Sequence, residues 1–174
     1  RSWDFTQINS AAEGLLAMSM EIYLLTDATV PTTQAWQSAI DALGFDVRFV
    51  DEVSLEADEI RLRAECKGKP VLMELERVSL ARVRDTFPDV AFPDHVSCVH
   101  ALYWSKTLEG GLAGYQAAAA YLGLVKGLMI DTEEGRLKTP ESAIELARKM
   151  TAEMPALEAA MAEILSKMAA RPRN

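Results

Sequence analysis

"GLMIDTEEGRLKTPESAIELARKM", residues 127–150, reads as four elements in succession. Leu128, Met129 and Ile130 make a short apolar strand. "DTEEG" turns the chain, and Gly135 supplies the positive φ that such a turn needs. "RLKT" is the return strand. Thr139-Pro140-Glu141-Ser142 then starts a helix, with Thr139 as N-cap and Pro140 at the first helical position. Ala143, Ile144 and Ala147 begin its buried stripe. A hairpin closed by a capped helix points to a mixed architecture of sheet and helices.

Outward toward the N-terminus, "TLEGGLAGYQAAAAYLGLVKG" is a helix of small residues. Leu112, Tyr115, Ala119 and Leu122 form a stripe that Ala118, Tyr121 and Val125 widen, and Gly127 fits its C-terminus. Its small residues let it sit close to a sheet. "DHVSCVHALYW" (94–104) is β-rich, with Val96, Cys98, His100 and Leu102 on one face. "VSLARVRDTFPD" is a short helix ended near Pro88. "EIRLRAECKGKPVLMELE" is a hairpin turning at "KGKP", with Ile60, Leu62, Ala64 and Cys66 on one face and Arg61, Arg63 and Glu65 on the other. "FDVRFVD" (45–51) alternates as a half-buried strand. Before it, Thr32 or Thr33 caps a helix that Gly44 stops, with Ala35, Trp36, Ala39, Ile40 and Leu43 at helical spacing. "EIYLLTD" (21–27) is the first strand. Past Pro155, which is expected to break the chain, a further helix carries Leu157, Ala160, Met161, Ile164, Leu165 and Met168 along one side.

The expected fold is therefore α+β, a single mixed or antiparallel sheet flanked by helices with an extra C-terminal helix. Residues 1–19 are read as an N-terminal extension, 20–151 as the α+β domain and 152–174 as the C-terminal helix. The chain starts with Arg, and the first candidate starts are Met18 and Met20. A chain of 174 residues can bury a real core as about one domain, and its 49% hydrophobic and 25% charged content is that of a globular protein.

A net charge of −8 argues against nucleic-acid binding, which needs a basic footprint, and favours basic partners. The longest apolar stretch, "GLAGYQAAAAYLGLV", is too short to span a membrane and carries Gln116. Two cysteines, Cys66 and Cys98, far apart in sequence, indicate a reducing compartment, and the expected location is cytoplasmic.

No catalytic template is present: no Gly-rich phosphate loop, no HExxH, no Gly-x-Ser-x-Gly. The acidic turn with Asp131, Glu133 and Glu134 fails as a calcium loop, because counting from Asp131 puts Gly135 at position 5 and Ser142 at position 12. Cys98 and His100 point the same way on a strand, about 7 Å apart along the chain, too far for a direct hydrogen bond. His95 points to the other face, and Cys66 lacks the close partner a zinc site requires. No cofactor or metal is expected. The acidic segment holding Asp51, Glu52, Glu56, Asp58 and Glu59 is either a solvated linker or a patch that docks a basic protein.

"LLTDATVPTTQAWQSAIDALGFDV", with Pro31, Thr32, Trp36, Gly44 and Phe45, resembles the opening of a group of small uncharacterised bacterial proteins with a Pro-Thr-x-x-x-Trp helix. Gly127, Asp131, Gly135 and Pro140 are similar to the Gly-x-x-x-Asp-x-x-x-Gly turn and helix that close such proteins. The resemblance runs from about residue 22 to 148. By analogy with members that resemble immunity proteins of toxin systems, it implies a non-enzymatic, immunity-like binder. The alternative is a small enzyme or ligand-binding domain using Cys98 and His100. The apolar C-terminal stripe leads to the further expectation of a homodimer through that helix.

Overall fold

A computed structural model describes residues 20–132 and 134–169. The strands are β1 (Met20–Thr26), β2 (Arg48–Phe49), β3 (Glu59–Cys66), β4 (Lys69–Val78), β5 (Cys98–Trp104), β6 (Leu128–Asp131) and β7 (Arg136–Lys138). The helices are α1 (Thr33–Ala42), α2 (Leu80–Thr86), α3 (Leu108–Val125) and α4 (Pro140–Ala169). The strands form one seven-stranded sheet in the order β2-β3-β4-β5-β1-β6-β7, with every neighbouring pair antiparallel. This is the expected α+β class.

The order explains the layering. From β1, the chain passes through α1 to β2 at one edge; from antiparallel β5, it passes through α3 to β6 on the other side. Two crossovers that start from opposed strands and move in opposed directions have one hand, so their helices must share a face of the sheet. Alternation then sorts the strands. Ile22 and Leu24, Leu62 and Ala64, Met73 and Leu75, and Leu102 and Trp104 meet α1, α3 and α4 in the main core. Tyr23, Leu25, Val99, Ala101 and Ile130 point the other way and are covered by Val83 of α2 and Val96.

α3 is buried from Glu109 to Leu122 except at Gly111, more than the single stripe its spacing suggested. The sheet lies on one flank and α1 and α4 on others, which an all-round apolar helix requires. Its glycines permit the approach: a Cβ at Gly114 would lie 2.4 Å from the ring of Trp104. Gln116, the one long polar side chain in the Ala run, is fully buried and satisfied. Its Oε1 accepts from the Asp46 and Val47 backbone N–H groups, at 3.0 and 3.2 Å, and its Nε2 donates to Thr151 Oγ1 at 2.9 Å.

Four expectations need correction. The strand expected over 45–51 is only Arg48–Phe49, because the N–H groups of Asp46 and Val47 go to Gln116 rather than to a neighbouring strand. The strand expected over 94–104 starts at Cys98, since Val96 turns into the second core and its N–H bonds back to Pro93 O. The left-handed residue after α3 is Lys126, at φ 54°. Gly127 serves instead for close passage, as a Cβ there would lie 2.6 Å from Leu25 O. Finally, α4 does not break at Pro155 but runs through it as one helix of 30 residues. Met154 is buried before the proline, and Glu158 pairs with Lys67 at 3.5 Å after it, so packing on both sides outweighs one lost hydrogen bond.

Candidate functional site

The segment Asp51–Glu59 is tied to the start of α1. Thr32 caps that helix through Ala35 N. Thr33 N donates to Val53 O at 3.0 Å, Leu55 N to Pro31 O at 2.9 Å, and Thr33 Oγ1 to Asp51 O at 3.0 Å. Leu55, 2% exposed, anchors the middle of the segment in the core. The acids it displays therefore stand on a fixed backbone.

Their environments differ. Asp51 is engaged by Arg63 in a two-pronged pair, Nε–Oδ2 2.7 Å and NH2–Oδ1 2.6 Å. Glu52, Glu56 and Asp58 are exposed, and Asp58 lies 3.8 Å from Arg77 in a long, solvent-washed pair. Glu59 opens β3 directly opposite Glu76 of β4. By strand alternation Glu74 and Glu76 share that open face with Glu59, Arg61 and Arg63. Tyr103 donates to Glu76 at 3.0 Å. The Glu74 carboxyl is held above the usual carboxylate range, chiefly by burial and next by the charge of Glu59, with Arg61 working against both. The phenol of Tyr103 is pushed up by burial and by its bond to Glu76.

Glu74, Glu76 and Tyr103 were not singled out from the sequence. Their signal is the alternation in "VLMELERV", where Glu74 and Glu76 interleave with the buried Met73 and Leu75. The three become a group with Glu59 only through strand pairing.

Cys98 and His100 touch, contrary to the separation expected from strand spacing. Sγ lies 3.7 Å from Nδ1, because the side chains lean toward each other. His100 is 2% exposed, pairs in register with Arg77 and Leu24, and meets the ring of Tyr121 edge-on. Burial, and then the charge of Arg77, bring the His100 imidazole down to about 4. Burial raises the Cys98 thiol, against a lowering by Arg77. At neutral pH the pair is a neutral thiol beside a neutral imidazole, the opposite of the thiolate and imidazolium of a cysteine nucleophile. Cys66 is buried and free, its thiol raised to about 12 by burial, and His95 is exposed ahead of β5. Among the described residues no three His, Cys, Asp or Glu side chains are placed to hold a metal ion.

The acidic turn is built as a corner. Asp131 is buried, and its Oδ2 accepts from Tyr115 at 3.0 Å, tying α3 to the end of β6. Gly135 has φ +62° and its N–H closes the turn on Asp131 O. Glu134 pairs with Lys138 at 2.7 Å, and Glu133 lies outside the described residues.

A cleft of about 590 Å³ opens between α4 and the end of the sheet, lined by Met20, Leu108, Met161 and Leu165 with Lys69, Glu109 and Glu158 at its rim. Its lining is mostly apolar. No described helix is long and apolar enough to cross a membrane. Comparison of the chain with protein-family models, with characterised proteins and with solved structures finds no match.

Proposed function

We propose that this chain is a non-enzymatic interaction protein of the bacterial cytoplasm, immunity-like, that binds a basic protein through the acidic end of its open sheet face. The observation that carries this is the cross-strand opposition of Glu59 and Glu76, with Glu74 beside them. Like charges directly opposite on paired strands cost stability. Arg61 meets Glu74 at 3.9 Å and Asp51 engages Arg63, so three carboxylates share the face with two guanidiniums, and a lysine or arginine from outside relieves the excess. Glu56 and Asp58 extend the same patch into solvent. Two free thiols accord with a reducing compartment. Self-association as a homodimer through α4 is the second half of the proposal.

The test is the association rate with a Lys/Arg-rich peptide, measured at low and high salt. Glu56→Gln, Asp58→Asn and Glu59→Gln together should slow association about tenfold at low salt and leave the melting temperature intact, with the difference vanishing at high salt. Equal rates at low salt would remove the patch.

A second reading, a small enzyme or ligand-binding domain using Cys98 and His100, is favoured by one observation, their 3.7 Å contact. It requires a reactive thiolate. Both cysteines should label slowly with an alkylating reagent at neutral pH, and rapid labelling at Cys98 that His100→Ala abolishes would restore it.

A further inference from the structure

α4 carries one uninterrupted seam. Ala143, Ala147, Met150, Met154, Leu157, Met161, Ile164 and Met168 follow one another in steps of four and three, the spacing of a coiled-coil contact line. The first half of that line has its partner: Ala143, Ala147 and Met154 are buried in the main core, where α4 runs antiparallel to α3. The second half has none among the described residues. α3 has 18 residues and α4 has 30, so at the helical rise α4 outruns its neighbour by about 18 Å. Leu157, Met161, Ile164, Leu165 and Met168 are exposed by 46 to 63%. The pattern that buries one half of the helix continues, unchanged, into the half that no other described residue covers.

We propose that the segment Leu157–Ala169 pairs with the same segment of a second copy, antiparallel about a two-fold axis between Ala162 and Glu163. This rests on the self-association already proposed and specifies its surface and register. Under that axis Leu157 faces Met168 of the second copy and Met161 faces Ile164, so all four seam residues are matched within the overhang. The positions flanking the line set Leu165 against Glu158 and Lys167 against Ala160, which brings no like charges together. Glu158 and Lys167 are already held in their own chain, by Lys67 and Glu163. Side chains this exposed place on the order of 500 Å² of apolar surface on each tail, so the pair buries on the order of 1,000 Å², the threshold of a specific interface. The cleft lined by Met20 and Leu108 lies beside Met161 and Leu165 and offers the second helix further apolar contact. Charge separates this occupant from an anionic membrane. Within 157–169 the polar side carries Glu158 and Glu163 against Lys167, not the lysine- and arginine-rich face of a surface-seeking helix, and Arg171 and Arg173 follow it in the sequence.

The measurement is the mass of the full chain in solution at micromolar concentration, with a cross-linking arm. The wild type should run at twice the chain mass. Ile164→Lys, at a position outside the core, should keep the thermal unfolding profile and raise the dimer dissociation constant about 100-fold, since each dimer would bury two unpaired charges. Mixing Met161→Cys with Ile164→Cys under mild oxidation should give a cross-linked pair in far higher yield than either variant alone. A monomeric wild type overturns the proposal, including one that instead co-sediments with phosphatidylserine vesicles. A dimer unaffected by Ile164→Lys, or equal yields from the mixed and single cysteine variants, overturns the seam and its register. Ile164→Lys should leave the rate of peptide association unchanged, so loss of the dimer and loss of the acidic patch are read separately.

Discussion

On the face of the sheet under α1, α3 and α4, β1 to β6 contribute to one apolar layer, and long polar side chains within it are bonded or uncharged. Gln116 uses both ends of its amide, and His100 is kept uncharged. On the opposite face, among the described residues, α2 and the segment that follows it roof the part over Tyr23, Leu25, Val99, Ala101 and Ile130. The remainder carries Glu59, Glu74 and Glu76 among Arg61 and Arg63, and there charge is left to face charge. On the first face, among the described residues, the buried side-chain polar atom left without a partner is Trp104 Nε1. The second leaves Glu59 opposite Glu76 with Arg61 countering Glu74, and the proposed partner surface rests on that difference.

The two faces should respond to pH in opposite senses, and the buried face gives the larger effect. The folded His100 imidazole titrates near 4, below its ordinary value. The unfolded chain therefore binds the proton more readily between these values. The stabilising contribution is present above about pH 6.5 and is lost as pH falls toward 4. It is on the order of 3 kcal/mol. Chemical denaturation across that window should show a steep loss of stability in the wild type and a shallower one in His100→Gln. Parallel profiles would mean that the imidazole is not excluded from water as its burial implies.

Two glycines of α3 offer a second contrast. Gly114 faces Trp104 across the main core, while a Cβ on Gly123 meets nothing within 4 Å. Gly114→Ala should destabilise by about 2 kcal/mol, since the clash outweighs the gain in helix propensity. Gly123→Ala should stabilise by about 0.5–1 kcal/mol for want of any clash. The same change would then act with opposite sign nine residues apart. Two shifts of like sign would show that α3 does not approach the sheet where the layering requires it.

The first face was largely legible in the sequence because its signals are local. Alternation from Ile60 to Cys66, the helical spacing of Trp36 and Ile40, and the positive φ of Gly135 each follow from a few neighbouring residues. What was not legible depends on partners distant in the chain. The opposition of Glu59 and Glu76, and the meeting of Glu74 with Arg61 beside it, exist only in the β3–β4 register. Strand spacing fixes where the Cα atoms of Cys98 and His100 lie, not how their side chains lean, so it missed a 3.7 Å contact. Pro155 reads as a break by local rules, and the packing of Met154 and the Lys67–Glu158 pair override it.

The smallest expected effect bears most directly on the open face. Glu59→Gln removes one member of the opposed pair and relieves Glu74, whose carboxyl is raised by burial and by the Glu59 charge. For a carboxyl raised in the folded state, the native chain binds the proton more readily, so the penalty is absent at low pH and grows as pH rises through the carboxylate range. At neutral pH Glu59→Gln should therefore stabilise the protein, by about 0.3 kcal/mol on the scale of cross-strand charge pairs. Near about pH 3, where ordinary carboxylates are protonated, the gain should disappear. The same substitution should slow association with a Lys/Arg-rich peptide, because it takes a charge from the patch. Stability and association would then move in opposite directions on one residue, as expected where a surface bears a cost that its partner relieves. If Glu59→Gln destabilises the fold at neutral pH, the residue serves the chain itself, and the contrast between the faces fails at its most exposed point.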